Sequence, residues 1–111
     1  MSRKYKLVVF VPDSALEKLK KALFDAGAGK LGNYAQCSWQ TKGLGQFCPL
    51  SGSDPFIGAE NQLEQLEEWR LEMVLAGERL KRVVEALREA HPYEEPAFDI
   101  TALVDPDSEI F

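Results

Sequence analysis

His91, Glu94 and Glu95 are the residues of this chain best equipped for chemistry. They share one six-residue stretch, His91-Pro92-Tyr93-Glu94-Glu95-Pro96, which holds the only histidine. An imidazole with carboxylates suits a zinc, copper or manganese ion, and His91 and Glu94 are the candidate metal ligands. The bland alternative is a rigid corner: Pro92 and Pro96 shape the backbone, Tyr93 packs, and the acids face water. A closed metal site wants four ligands, so the stretch alone is short of donors. The remainder would come from other subunits, or from Cys37 or Glu72. A divalent metal is thus a candidate cofactor only on that condition.

Cys37 and Cys48 are the chain's thiols. Neither has a histidine near it in sequence to lower its pKa, and pairing Cys37 with His91 as nucleophile and base rests on residue types alone. Small buried apolar groups are the simpler description of both. Glu68, Arg70 and Glu72 alternate with Trp69, Leu71 and Met73, which places three charges on one face of a strand. They would form an inter-subunit ion-pair ring or, as the sharper reading, a polar binding cavity. Gly27-Ala28-Gly29-Lys30-Leu31-Gly32 matches the dinucleotide pattern G-x-G-x-x-G letter for letter. That chemistry needs the glycines after a strand and opening a helix. Here they follow a helix and lead into a strand, so they read as a helix terminator.

Elements must hold these residues. Residues 5–11 are β-branched and aromatic with both faces apolar, which marks a central strand. Ser14 and Glu17 read as a capping box, and Leu16, Leu19, Leu23 and Ala26 repeat at helical spacing up to Gly27. A second strand is expected over residues 33–41. Residues 42–61 carry Gly43, Gly45, Gly52, Pro55 and Gly58; they start as a hairpin arm around Gln46-Phe47 and continue as a long loop, either functional or an oligomer contact. Residues 69–75 form a third strand. Leu80, Val83, Val84, Leu87 and Ala90 mark a second helix, which Pro92 ends by restricting His91 to extended geometry. Residues 97–104 are the last strand, and residues 105–111 an acidic, flexible tail.

Strand, helix, strand, strand, helix, strand makes an α+β, ferredoxin-like βαββαβ domain over residues 1–104. Its four-stranded antiparallel sheet carries both helices on one face, with a long β2–β3 loop or arm. Two helices leave one face of the sheet bare although the first strand is apolar on both sides. Another copy of the chain is the expected cover.

With 111 residues and 45% hydrophobic content this is one ordinary globular domain. A net charge of −5 argues against nucleic acid as a partner. Two cysteines make no disulfide framework. The apolar run at residues 7–11 is too short for a signal-peptide core, and no run approaches a membrane span. The cytoplasm is the expected compartment, with no membrane partner.

Several motifs together resemble a known domain. Residues 26–34 (Ala-Gly-Ala-Gly-Lys-Leu-Gly-Asn-Tyr), Cys37-Ser38-Trp39, residues 43–49 (Gly-Leu-Gly-Gln-Phe-Cys-Pro), Asp54-Pro55-Phe56-Ile57-Gly58, Glu68-Trp69-Arg70-Leu71-Glu72 and residues 91–99 are similar to the YqfO-type domain. That domain is inserted in larger members of the dinuclear-metal-centre hexameric protein family and also exists alone. The resemblance covers residues 5–104. His91-Pro92-Tyr93-Glu94 is also similar to an element of the CutA divalent-ion-tolerance proteins, which implies a CutA-like or PII-like assembly, typically a trimer. CutA-like chains have a glutamate after Pro96, whereas Ala97-Phe98-Asp99 follows here; this favours the YqfO-type group and weakens transfer of CutA metal chemistry. The larger members' two-metal site lies in flanking domains, so neither it nor a hydrolase activity is carried over.

Three functions follow as expectations. The first is a non-enzymatic, trimeric sensing or regulatory module that binds an unknown small molecule or ion in clefts between subunits, near the glycine-rich turn, the 43–61 loop and residues 91–95, with His91, Tyr93, Glu94, Glu95, Tyr34, Cys37, Arg70 and Glu72 as candidate ligand contacts. The second is CutA-type divalent-metal binding through His91 and Glu94. The third is a minimal enzyme with Cys37 as nucleophile.

Overall fold

The structure, a computed structural model, describes residues 3–107. The elements run β1 (Lys4–Pro12), α1 (Leu16–Asp25), β2 (Trp39–Phe47), β3 (Glu64–Ala76), α2 (Leu80–Ala90) and β4 (Phe98–Ala102). The sheet order is β2-β3-β1-β4 with every pair antiparallel. This is the expected ferredoxin-like α+β arrangement. Part of the acidic tail, residues 108–111, lies outside the described residues.

The core forms between the helices and one sheet face. Leu7, Val9 and Val11 of β1 and Leu71, Met73 and Leu75 of β3 meet Leu16, Leu19 and Leu23 of α1 and Val83, Ala86 and Leu87 of α2, all buried. Strand alternation sends Val8 and Phe10 to the opposite face, beside Glu72 and Arg70 of β3. Val8 is 8% exposed there and Phe10 is half-buried. The open face is therefore less bare than the strand pattern implies: Lys6, Arg70, Glu72 and Asp99 share it.

Helix α1 does not start on the expected capping box. Residues 13–15 form a 3-10 turn, Ala15 occupies the cap position, and no side chain caps the helix. Asp13 instead accepts from Trp69 Nε1 at 2.8 Å, so a tertiary hydrogen bond replaces the local one. The other end follows the sequence. Gly27 takes φ +107°, and Gly27 N and Ala28 N donate to Phe24 O and Leu23 O, the pairing of a Schellman terminator.

β2 is shifted from the expected residues 33–41. Residues 29–38 turn back on themselves instead: Gly29 N donates to Val74 O, Leu31 and Tyr34 exchange backbone hydrogen bonds, and Cys37 N donates to Gly29 O. Those bonds occupy the groups a ladder would need. Pairing with β3 begins at Trp39 and runs through Gly43 and Gly45. β4 is shorter than expected, five residues from Phe98 to Ala102. β3 is much longer, at 13 residues. It pairs with β1 only from Glu68 onward, so Glu64 to Glu67 pair with β2 alone. The hairpin thus projects past the end of β1 as a two-stranded arm.

Candidate functional site: a cleft between the hairpin arm and the His91 corner

His91 is 5% exposed, and its ring is held from both sides. Nε2 lies 2.7 Å from Phe10 O, and Tyr93 N donates to Nδ1 at 3.1 Å. A carbonyl accepts and an amide N–H donates, so the arrangement selects the neutral tautomer with hydrogen on Nε2. Burial pushes the His91 pKa below its ordinary value, against the pull of Phe10 O and the Glu68 charge. The corner also takes the other polar group of Phe10, whose N donates to Ala97 O at 3.1 Å. Phe10 lies one residue past the last β1–β4 pair, Val9 with Phe98. The stretch thereby satisfies the backbone where the ladder stops.

With the corner fixed, Pro92 turns Tyr93 onto the open face. Its hydroxyl donates to Glu68 Oε2 at 2.8 Å. Burial, then the hydrogen bond and charge of Glu68, raise the Tyr93 pKa far above the usual phenol range. The Tyr93 ring meets His91 at 4.9 Å, Phe47 at 6.1 Å and Phe56 at 6.4 Å between centroids. Glu94 Oε1 accepts from Asp54 N at 2.9 Å. Phe56 and Asp54 belong to residues 49–61, a loop closed at its neck by Asn61 N donating to Pro49 O at 2.6 Å. Compact loops with close ends are common carriers of function. This one is fastened to the corner by Glu94 and Tyr93.

Between loop, arm and corner lies a cleft of about 750 Å³, within the range of small-molecule sites. Phe10, Phe47, Pro49, Phe56 and Tyr93 supply apolar wall, with Glu68, Arg70, Glu94 and Glu95 as charged members. Gly43 and Gly45 fall on the same face of β2, opposite Glu68 and Leu66. They strip side chains from one wall. A Cβ at Gly45 would collide with the Glu68 carboxylate, while one at Gly43 would enter open space.

The expected site residues separate into groups. Tyr93, Glu94, Glu95 and Arg70 line the cleft. His91 lies behind it as the corner's anchor. Glu72 stands outside the lining, 2.7 Å from Lys6 Nζ and 3.5 Å from Arg70 Nε. Lys6 holds its carboxyl below the ordinary range, helped by Arg70 and opposed by burial. Tyr34 and Cys37 belong to the turn that Gly29 ties to Val74, four residues along β3 from Arg70. Tyr34 is 76% exposed. The thiols are not buried as expected: Cys37 is half-exposed and Cys48 exposed, because the turn and the loop lie on the surface. Phe47, Phe56 and the two strand glycines lie in the stretch that the sequence marks as functional or an oligomer contact, without being singled out there as site residues. Their one signal was alternation: Thr41, Gly43, Gly45 and Phe47 share a strand face.

Among the described residues, no three His, Cys, Asp or Glu side chains converge as metal ligands. Metal on His91 Nδ1 would displace the Tyr93 amide, and Glu94 already holds Asp54 N. The donor set does not fit the two-metal centre that the family resemblance raises. Among the described residues, no helix is long and apolar enough to cross a membrane.

No protein-family model matches the chain. A Halalkalibacterium halodurans protein named GTP cyclohydrolase 1 type 2 homolog is 46% identical over 99 residues, which are 89% of this chain and 27% of that protein. A solved Bacillus cereus protein related to NIF3 superposes with a TM-score of 0.80 at 40% identity, over 94% of this chain and 26% of that one. The PII-like protein CutA from Nostoc sp. PCC 7120, in apo form, superposes at 0.65 and 15% identity, over 96% and 86%. The fold is thus that of the CutA-like and PII-like α+β modules. Identity is carried by the longer relatives. Over nearly its whole length the chain is homologous to a segment of the NIF3/YqfO-family proteins, and it spans about a quarter of the length of the relatives it matches.

Proposed function

We propose that this CutA-like, PII-like module is a non-catalytic ligand-binding unit whose site is the cleft over the open sheet face. The observation behind this reading is the fastening of the 49–61 loop: Glu94 holds Asp54 N and Tyr93 packs on Phe56, so an apolar cleft is roofed by a segment that can respond to its contents. The one histidine is spent on backbone, and Cys37 has no base hydrogen-bonded to it. A ligand that orders the loop, with no turnover, fits these contacts.

We further infer that copies associate through the open face and the edge strand β2. Trp39 is 68% exposed on that edge, and the cluster of Lys6, Arg70 and Glu72 offers charge to a neighbour; the trimer common to CutA-like chains is the expected assembly. The relatives' name contains GTP cyclohydrolase, but a segment spanning 27% of such a protein carries no claim to that reaction. Native mass spectrometry of the protein isolated from its source tests the reading. The expected spectrum shows an oligomer with stoichiometric retained small molecules. A stripped species at 12.4 kDa, with loop exchange unchanged by cell extract metabolites, would overturn it.

A further inference from the structure

The charges around the cleft narrow what it holds, on the reading that it is a ligand site. Its lining has three carboxylates, Glu68, Glu94 and Glu95, and two cations, Arg70 and Lys42. Both cations lean on acids outside the lining, Lys42 on Glu67 and Arg70 on a Glu72 that it shares with Lys6. Lys42 Nζ lies 3.1 Å from Glu67 and 5.6 Å from the Trp69 ring centroid, and Trp69 packs against the helix-side core. Arg70 Nε leans on Glu72 at 3.5 Å.

Glu68 is different. Its Oε2 accepts from Tyr93, while its Oε1 lies over Gly45. Among the described residues no hydrogen-bond or ion-pair partner engages Oε1. Tyr93 and Phe47 present aromatic surface beside it, 6.1 Å apart between centroids. An unused carboxylate oxygen among aromatic rings, in surroundings drier than bulk water, attracts a cation through both charge and ring quadrupole. A hard metal ion would want six or more oxygens, and no such set converges. An anion would meet an excess of negative charge. We propose that the cleft binds a small organic cation: a primary ammonium or guanidinium on Glu68 Oε1, carried on an apolar or aromatic body against Tyr93, Phe47 and the glycine wall of β2. Gly45 then leaves room for the Glu68 carboxylate, and Gly43 leaves open space for the flat body of the ligand.

Three probes of nearly one shape separate the alternatives: 2-phenylethylamine, 2-phenylethanol and 3-phenylpropionate, which at neutral pH are cation, neutral and anion. Saturation-transfer NMR and calorimetric titration against the full chain should rank the amine first. It should bind about tenfold or more tighter than the alcohol, the scale of a partly desolvated cation–π and charge contact. Glu68→Gln, which retains an acceptor for Tyr93, should remove that advantage and leave the alcohol unchanged. Glu68→Asp, which keeps the charge but withdraws it, should fall between them. Equal or tighter binding of the alcohol or the acid overturns the cation proposal while the ligand site stands. Silence from all three probes at millimolar concentration, with a native amide spectrum, overturns both. If sedimentation shows copies whose association is lost in Glu68→Gln, the occupant is a neighbouring chain's cation, and the small-molecule proposal falls.

Discussion

Each half of this fold has a junction where a helix hands the chain back to the sheet, and the two are built differently. Residues 27–38 follow α1 and rely on glycine: Gly27, Gly29 and Gly32 take positive φ, and the bonds Gly29 N to Val74 O and Cys37 N to Gly29 O are all backbone. Residues 91–97 follow α2 and rely on a side chain, the His91 imidazole bridging Phe10 O and Tyr93 N. A junction made by backbone leaves its side chains idle, and Tyr34 stands in solvent. The junction made by a side chain can aim the residues that follow. It sends Tyr93 to Glu68 and Glu94 to Asp54. The lesson is that a polar motif at a turn can owe its histidine to architecture and its place beside a cleft to the neighbours that the histidine positions.

The comparison breaks first at His91. His91→Ala strands a buried carbonyl and amide and leaves a void, at a cost of about 2–4 kcal/mol, read from the urea midpoint. Gly29→Ala attacks the other junction. At φ +80° its Cβ would sit 2.8 Å from the Phe24 ring and 2.9 Å from Cys37 O, for about 2 kcal/mol. The first should disturb the loop over the cleft; the second should not.

The pH dependence sharpens the contrast further. In the unfolded chain His91 titrates near its ordinary 6.5, while in the fold burial holds it lower. Between those values the unfolded state binds the extra proton, so stability falls as pH drops through 6.5 and is constant above it. Urea midpoints between pH 5 and 7.5 should slope in the wild type, and His91→Gln should lose that part of the slope. Glu72 acts in a separate, more acidic window: its lowered pKa adds stability that is present above 4.5 and lost as pH falls further. The smallest expected effect belongs to Glu94→Ala. Its hydrogen bond is exposed, worth about 0.5 kcal/mol, so amide exchange at Asp54 should rise about twofold, as that energy implies.

Much of this architecture was legible in sequence. Period-two and helical spacing located β1, β3 and both helices, and Pro92 and Gly27 marked the helix ends correctly. The start of β2 was not legible, because Asn33, Tyr34 and Trp39 have the composition of a strand while a mutual Leu31–Tyr34 bridge claims the backbone first. Gly45 read as a loop residue because its reason lies across the sheet, in the Glu68 carboxylate. The site was half legible for the same cause. Tyr93, Glu94 and Arg70, candidates by residue type, line the cleft, whereas Phe47 and Phe56 join them only once the arm and the loop fold over. Cys37 and Tyr34 were drawn in by residue type and belong to the other junction.

Hydrogen exchange of residues 49–61, compared between His91→Ala and Gly29→Ala under conditions where both remain folded, reads whether the His91 corner holds the loop over the cleft. Exchange of Asp54 and its neighbours should accelerate when the imidazole is removed and match the wild type when the glycine turn is strained. Equal protection of the loop in the two variants would contradict it, because His91 would then have no part in holding the cleft.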